Sequence, residues 1–498
     1  MNELSGASLA KVHETLSLHT QAFINGSFVD AQSGKTFSSI SPRNGLVLAE
    51  VAACEVADVD AAVSSARKAF EDGRWSGLRP AQRKVIMLRF VELIREHRLE
   101  LALLETLDMG KPISDAFNVD LQSTATCLQF YAESADKLYG ELAPTSPNIV
   151  AMIAREPIGV VGAVVPWNYP LLMAAWKLGP VLVTGNSIIL KPAEQSPLSA
   201  LKLAELSAEA GFPDGVFNVV TGLGEQAGAA IGLHMDIDAV AFTGSAEVGK
   251  LFMQYSANSN LKSVSVECGG KSPQIVMGDV SNFEQAARSV AGGIFFNQGE
   301  VCNAGSRLLV AESIHNEFVA QVAHYSQDFQ PSDPLELDST MGAIVDDRQM
   351  SRVLQYIDKG SEEGANLIVG GKQALTESGG YYVEPTIFDD VNPGMTIAQE
   401  EIFGPVLSVI PFADVDDAVR IANGSRFGLA ASVWTSNIDT AHKVARKLQA
   451  GTVWVNCFDS SDITVPFGGF KESGFGRDKS LHAIEKYTQL KTTWIELG

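Results

Sequence analysis

Positive charge is scarce: 37 lysines and arginines face 59 aspartates and glutamates over 498 residues, a net of −22 and a sequence pI near 4.8. No Lys/Arg-dense run offsets this balance locally, so phosphate backbones and anionic membrane surfaces are repelled and neither nucleic acid nor membrane is expected as a partner. Long apolar runs are missing as well, since none reaches the roughly 18 residues of a membrane span. The first residues, from Met1 to about Asp30, lack a basic-then-apolar signal pattern. The chain therefore reads as soluble and cytoplasmic. Cysteine is sparse and odd in number: Cys54, Cys127, Cys268, Cys302 and Cys457 are scattered and never spaced C-x-x-C. That argues against a disulfide framework and a zinc site, and leaves room for one working thiolate. The eight histidines form no H-x-x-x-H pair or partner cluster, so no metal is expected. Internal repeats and low-complexity linkers are absent too.

What is present suits a large globular α/β protein. Hydrophobic residues make up 46% and charged residues 19% of the chain, enough for large cores in two to four domains. Val59, Ala62, Val63, Ala66 and Phe70 recur at helical spacing, as do Ile86, Phe90 and Leu93 after the Arg79-Pro80 break, predicting two outer helices. From Val160 the texture changes to short β-branched runs at 160–165, 187–190, 216–220, 239–242 and 263–266, with room for a crossover helix between them. This is the pattern of a parallel sheet. A second alternation follows Gly270, with helix-like 283–291, 313–329 and 347–363 between apolar runs at 407–412, 430–434 and 452–456. Extended segments at 149–154 and 491–497 lie apart from both cores. Paired at a surface, they would offer an open strand edge of the kind another subunit closes, which predicts an oligomer.

Chemistry is expected at the carboxyl ends of the first set of strands. There, Thr243-Gly244-Ser245 opens a strand-turn-helix junction whose backbone N–H groups could face a pyrophosphate, and Gly222-Leu223-Gly224-Glu225-Gln226-Ala227-Gly228 misses the dinucleotide fingerprint by one residue. Structural turns explain these glycines about as well. Glu194, in Lys191-Pro192-Ala193-Glu194, could accept hydrogen bonds from ribose hydroxyls and would repel a 2′-phosphate, favouring NAD over NADP; a solvated helix start is the plainer reading of it. Cys302 sits among small and polar residues rather than in an apolar stripe, although a lone cysteine is more often an inert buried thiol. Glu267 ends an apolar strand, where desolvation would raise its pKa towards a general base's range, or where it is simply a solvated acid. Asn168 follows the first strand and could donate to a developing oxyanion, though a turn between two prolines commonly holds an asparagine.

Together these residues are specific. Pro166-Trp167-Asn168-Tyr169-Pro170, Lys191-Pro192-Ala193-Glu194, Phe242-Thr243-Gly244-Ser245, Glu267-Cys268-Gly269-Gly270-Lys271, Asn297-Gln298-Gly299-Glu300-Val301-Cys302, Glu400-Glu401-Ile402-Phe403-Gly404-Pro405 and Pro466-Phe467-Gly468-Gly469 stand in the order found in the NAD(P)-dependent aldehyde dehydrogenase superfamily, which the chain resembles from about residue 20 to 495. The resemblance implies an aldehyde dehydrogenase-like α/β fold. Its parts would be a Rossmann-type cofactor domain (1–140 and 158–267), a second α/β catalytic domain (268–478) and a small β bridging element (141–157 and 479–498), assembled as a homodimer or homotetramer.

It also implies roles: Cys302 as nucleophile, Glu267 as the base activating the deacylating water, and Asn168 with the Cys302 N–H as oxyanion hole. Lys191 and Glu194 match the adenosine-ribose contacts, Trp167 and Ser245 the pyrophosphate contacts, and Glu401 and Phe403 the nicotinamide side. Val165, Gly224 and Gly244 join the NAD-binding set. Asp478 stands where many relatives carry a glutamate that relays protons with a lysine matching Lys177, and its shorter side chain puts that relay in doubt. Cys268 replaces a common leucine; packing is expected of it, with oxidative crosslinking to Cys302 as the alternative.

The closest texture is that of bacterial enzymes acting on ω-amino, guanidino and γ-glutamylamino aldehydes, carried by Phe475-Gly476-Arg477-Asp478-Lys479-Ser480-Leu481-His482 and by 487–494. Alignment to that family's tunnel implies a substrate lining of Tyr169, Leu172, Met173, Trp176, Phe296, Val301 and Phe467, with Trp454 and Phe458 near or behind it. Such an aromatic lining favours arylalkyl aldehydes such as indole-3-acetaldehyde, or apolar aliphatic ones. Asp120, Asp459 and Asp462 could instead hold the ammonium of an ω-aminoaldehyde or of γ-glutamylaminobutyraldehyde, and a solvated rim is the reading preferred for them. A CoA-acylating enzyme usually lacks a base at Glu267. A non-catalytic scaffold would show erosion at Asn168, Glu267 or Cys302, and none is eroded.

Overall fold

The computed structural model describes residues 3–498. Its first sheet has eight strands, and the five central ones are parallel, in the spatial order Phe217–Val219, Ser187–Lys191, Val160–Val164, Ala239–Gly244, Ser263–Cys268. Numbered along the chain this is 3-2-1-4-5, the Rossmann order, which reverses direction between Val160–Val164 and Ala239–Gly244. Ligands of such sheets bind outside the carboxyl ends of the strands at that reversal.

Both faces of the sheet are covered, which is why its strands read as continuous β-branched runs. Successive residues point to opposite faces. Val160, Val164 and Ile189 pack with Val59, Ala62, Val63 and Ala66 of the Val56–Glu71 helix. Val161, Ala163, Ile188 and Leu190 pack on the other side with the helices Pro80–Glu96, Leu121–Ser134, Pro170–Val183 and Leu198–Ala210. Each fully buried Val, Leu or Ile contributes about 1.5–3 kcal/mol. The same alternation aims the last strand's residues: Val264, Val266 and Cys268 face the Val56–Glu71 side, so Glu267 faces the opposite one.

A second, seven-stranded sheet contains six strands in parallel, Thr386–Asp389, Val406–Phe412, Arg307–Ala311, Pro273–Val276, Ala430–Trp434 and Thr452–Val455, with Asn366–Val369 antiparallel at one edge. The two remote extended segments do pair. Thr488–Glu496 runs antiparallel to Ile149–Pro157 with Lys491 opposite Ala154, and Glu141–Ala143 adds a third strand.

Three expectations shift. The helix expected over 283–291 continues to Phe295 through Gly292 and Gly293, and the glycine at 293 stands where a Cβ would press on Phe458 and Gln274. The segment 313–329 is an α-helix only over His315–Tyr325, with 3₁₀ turns at both ends. His315, expected to have no partner, meets Asp389 (Nε2 to Oδ1, 2.9 Å) beside Asp390, a grouping formed by residues far apart in sequence. Among the described residues no helix is long and apolar enough to cross a membrane.

Candidate active site

Cys302 lies just beyond the Phe283–Phe295 helix on a strained turn. Asn297, Gln298 and Gly299 take φ of 49°, 56° and 71° in succession, a left-handed run that L side chains resist at about 1–3 kcal/mol each. Glycine is required at 299, where a Cβ would collide with the Gly404 carbonyl. The turn is fastened from outside. Gln298 Nε2 donates to Ala343 O (3.2 Å) and its Oε1 accepts from Gly342 N (2.9 Å); Glu300 Oε1 accepts from Val345 N (3.1 Å); and Asn297 Nδ2 donates to Glu300 O (3.2 Å). Sequence reasoning passed over Asn297, Gln298 and Glu300. The signal for them was three buried polar side chains crowded round a glycine, and it marks positioning rather than chemistry.

The Asn168 side chain is buried, and its Nδ2 donates to Glu300 O at 2.8 Å. An amide nitrogen has two N–H bonds, so the orientation is fixed while one donor stays free. Glu267 is 4% exposed, and neither of its carboxylate oxygens has a hydrogen-bond partner. Burial pushes its pKa well above the usual carboxylate range; Asp478 adds to the shift, while Lys486, Lys177 and Arg477 oppose it. The Cys302 thiol is also pushed up, first by burial and then by the negative charges of Glu401, Asp459 and Glu267. Asn168, Glu267 and Cys302 all line one cavity of about 1040 Å³ at the sheet's reversal point.

Lys177 reaches Asp478 despite the shorter acid: Asp478 Oδ2 receives the Lys177 ammonium and its Oδ1 receives Lys486 Nζ at 2.5 Å. Burial works against ionisation of Asp478, but the two lysines outweigh it and hold the carboxyl below its ordinary pKa. The Cys268 thiol faces the other side of its strand and donates to Ser245 O at 3.7 Å, a packing role.

Of the residues expected at the cofactor, Trp167, Gly244, Ser245, Glu401 and Phe403 line the cavity. Ser245 caps the Ala246–Ala257 helix, its Oγ accepting from Val248 N (3.3 Å), so the first N–H groups of the helix point outward as anion donors. Trp167 and Phe403 meet edge to face at 5.2 Å. Glu401 accepts from Gly270 N (3.1 Å), and burial raises its pKa to about 7. Val165, Lys191, Glu194 and Gly224 lie outside that wall. Lys191 ends its strand and bonds Glu194 (3.2 Å), and its stem lies near Gly228 of the π-helical turn Gly224–Gly228. Gln349 was missed: it lines the cavity and donates to Phe403 O at 2.8 Å.

Tyr169, Met173, Trp176 and Phe467 form the apolar wall, with Trp176 and Phe467 at 5.4 Å. Leu172, Phe296 and Val301 are instead half-buried against the neighbouring core, and Trp454 stands off the wall, donating to Ser460 O (2.8 Å) and tilted against Phe458. Asp120 corrects the expectation of a solvated rim. It is fully buried and ion-paired with Lys111, whose ammonium also sits 3.9 Å from the centre of the Tyr169 ring. A carboxylate with no water around it needs such a partner. Asp459 and Asp462 are exposed as expected; Asp459 accepts from Asn303 Nδ2 (2.7 Å) and Asp462 from Thr464.

Residues 28–493 match the model of the aldehyde dehydrogenase family. The chain is 49% identical over 483 residues to the NADP/NAD-dependent aldehyde dehydrogenase PuuC of Escherichia coli, covering 97% of each protein. It superposes with a TM-score of 0.98 and 54% identity on a mutant indole-3-acetaldehyde dehydrogenase, AldA of P. syringae, in complex with NAD+ and IAA, covering 99% of this chain and all of that one. The gamma-glutamyl-gamma-aminobutyraldehyde dehydrogenase of Burkholderia cenocepacia gives 0.97 at 54% identity with the same coverage.

Proposed function

The chain belongs to the aldehyde dehydrogenase family, and from that premise we propose that Cys302, Glu267 and Asn168 carry out its NAD-dependent oxidation of an arylalkyl or apolar aldehyde to the acid. The observation that supports this reading is the single cavity that these three side chains share with Trp167, Ser245 and Phe403. Its volume, about 1040 Å³, lies at the upper end of ordinary ligand sites, room for a dinucleotide's reactive half and a small substrate together.

In the proposed mechanism Cys302 loses its thiol proton to solvent water, and the thiolate Sγ attacks the aldehyde carbon to give a tetrahedral thiohemiacetal oxyanion. Its oxyanion accepts from the free Asn168 N–H and the Cys302 backbone N–H, donors that the Glu300 and Gln298 contacts hold ready. NAD, when bound, supplies the acceptor for the hydride that leaves this carbon. The acyl group remaining on Cys302 is released by water whose proton passes to Glu267, a carboxylate with both oxygens unpaired. Lys191, Glu194, Val165 and Gly224 would hold the adenosine end, Gly244, Ser245 and Trp167 the pyrophosphate, and Glu401 and Phe403 the nicotinamide side. Glu194 disfavours a 2′-phosphate, and Glu267 favours hydrolysis over transfer to CoA.

Replacing Asn168 by Ala removes the side-chain oxyanion donor and is expected to lower kcat about 10²–10³-fold. Dinucleotide affinity, read by fluorescence titration, should stay within a factor of two or so, because Asn168 touches only the reacting end.

Tyr169, Met173, Trp176 and Phe467 support the apolar substrate class. About 100 Å² of extra buried apolar area is worth ~2.5 kcal/mol at most, so kcat/KM for indole-3-acetaldehyde should exceed that for 4-aminobutanal by about tenfold or more. Hexanal should fall between. The reverse order would instead favour the second reading, an ω-aminoaldehyde or γ-glutamylaminobutyraldehyde enzyme, for which exposed Asp459 offers a carboxylate beside the nucleophile's neighbour Asn303.

Segments 1–140 with 158–267, 268–478, and 141–157 with 479–498 form the cofactor, catalytic and bridging parts in this reading. Exposed Leu490, Trp494 and Met152 on the three-stranded sheet support a homodimer or homotetramer. The acidic surface fits a cytoplasmic protein without nucleic-acid or membrane partners.

A further inference from the structure

Asp478 centres a buried charge cluster that the mechanism above does not use. It binds Lys177 of the Pro170–Val183 helix through one oxygen and Lys486 of the Leu481–Tyr487 turn through the other. The side chains of Lys177 and Asp478 are wholly buried, whereas that of Lys486 is 11% exposed, so Lys486 is the ammonium of the cluster that reaches solvent. Glu267 lies beside the same group. Phe467 and Asp478 exchange two backbone hydrogen bonds of 2.8 Å, which sets Asp478 directly behind the cavity wall. The next residue, Gly468, backs onto the base, where a Cβ would stand 2.7 Å from Glu267 Oε1. Three buried polar atoms at this spot have no partner: both Glu267 oxygens and the hydroxyl of Tyr487, the residue after Lys486.

We propose that Lys486 is a positioning residue for deacylation, its ammonium giving the Asp478 cluster the surplus positive charge that lets buried Glu267 take and release a proton. The proposal rests on the reading of Glu267 as the base. With Lys177 and Lys486 against Asp478 alone, the cluster carries one net positive charge, and an ionised Glu267 neutralises it. Without Lys486 the cluster is already neutral, and an ionised, buried Glu267 keeps only Arg477 as a compensating charge, which disfavours its ionised form.

Of the other groups facing Glu267, Arg477 is the one further cation, and its guanidinium is taken up by the Gly469 and Gly476 carbonyls. Arg477 and Lys177 are positive; Asp478 is negative; Tyr487 and Cys302 are neutral in the resting protein; and Cys268 points to the opposite face of the strand. No oxidant or further reactant is involved: water gives one proton to Glu267, and that proton leaves towards solvent at the exposed end of the cluster.

The test uses 4-nitrophenyl acetate, which acylates a cysteine and releases 4-nitrophenolate with no dinucleotide present. The initial burst reports acylation and the later steady rate reports hydrolysis of the acyl-enzyme. In Lys486→Met and Lys486→Gln the burst amplitude should equal that of the native protein, showing an intact site. The acid limb of the steady rate should move to higher pH by about one unit, a tenfold slower rate on the acid side. Lys486→Arg should keep the native limb. Native profiles in the Met and Gln variants, with the steady rate abolished in Glu267→Gln, would overturn the role of Lys486 while leaving the base in place. An equal shift in the Arg variant would overturn it too, by pointing to packing rather than charge. A native steady rate in Glu267→Gln would remove the base itself and the proposal with it.

Discussion

Cys302→Ala loses aldehyde-dependent NADH formation by at least about 10⁴-fold, the scale of removing a nucleophile from a concerted site. The reason is chemical. A free aldehyde carbon is trigonal, and its hydrogen cannot leave as hydride to give an acid until a second heteroatom makes the carbon tetrahedral. Cys302 and Cys268 both border the cavity, and the Cys268 thiol is turned to Ser245 O, which leaves the Cys302 Sγ as the nucleophile. Alanine keeps Cβ and the backbone N–H, and the turn remains fastened through Gln298 and Glu300, so NAD binding should persist within a few-fold by calorimetry. The raised pKa of the thiol adds a pH signature to the native enzyme. A thiol held above its ordinary value loses its thiolate as pH falls, so the rate of the acylation burst should rise towards alkaline pH while its amplitude stays at one equivalent per site.

Glu267→Gln has the second large effect and separates the two halves of the reaction. Glutamine has the same shape, and neither carboxylate oxygen has a hydrogen bond to lose, so the fold and the oxyanion donors are untouched. One equivalent of NADH per active site should form at close to the native rate, after which turnover falls by about 10²–10⁴, the usual worth of a general base. Sign follows from the raised pKa. Glu267 serves as a base only when ionised, so native turnover is full above its folded pKa and lost as pH falls through it, at a pH above the ordinary glutamate range. That acid limb should vanish in the glutamine variant. Stopped-flow absorbance across pH records both the burst and the limb.

The parallel strands were legible because burial on both faces makes them uninterrupted apolar runs; their ends were placed to within a residue or two, as Phe217–Val219 against the expected 216–220 shows. The helix broken at both ends over 313–329 was not, since its apolar spacing continues through the 3₁₀ turns. Residues that act by themselves at the end of a strand or a turn, Asn168, Glu267 and Cys302, could be picked out and then ranked by the order of their motifs. Residues that act only in pairs were harder to see. Asp120 and Lys111 are nine positions apart and meet through a π-helical turn; Lys177 could be matched to Asp478 only through the family resemblance, and Lys486, which joins them from a 3₁₀ turn, was not picked out. Linear spacing carries no trace of such closures.

The claim on which all of this depends is that the aldehyde's acyl group passes through a bond to one sulfur. Mass spectrometry of Glu267→Gln protein, mixed with NAD and hexanal and acid-quenched within the burst, tests it directly. The peptide containing Cys302 should carry one hexanoyl group in amount equal to the NADH formed. Equivalent NADH with Cys302 unmodified, or the acyl group on Cys268, would contradict it.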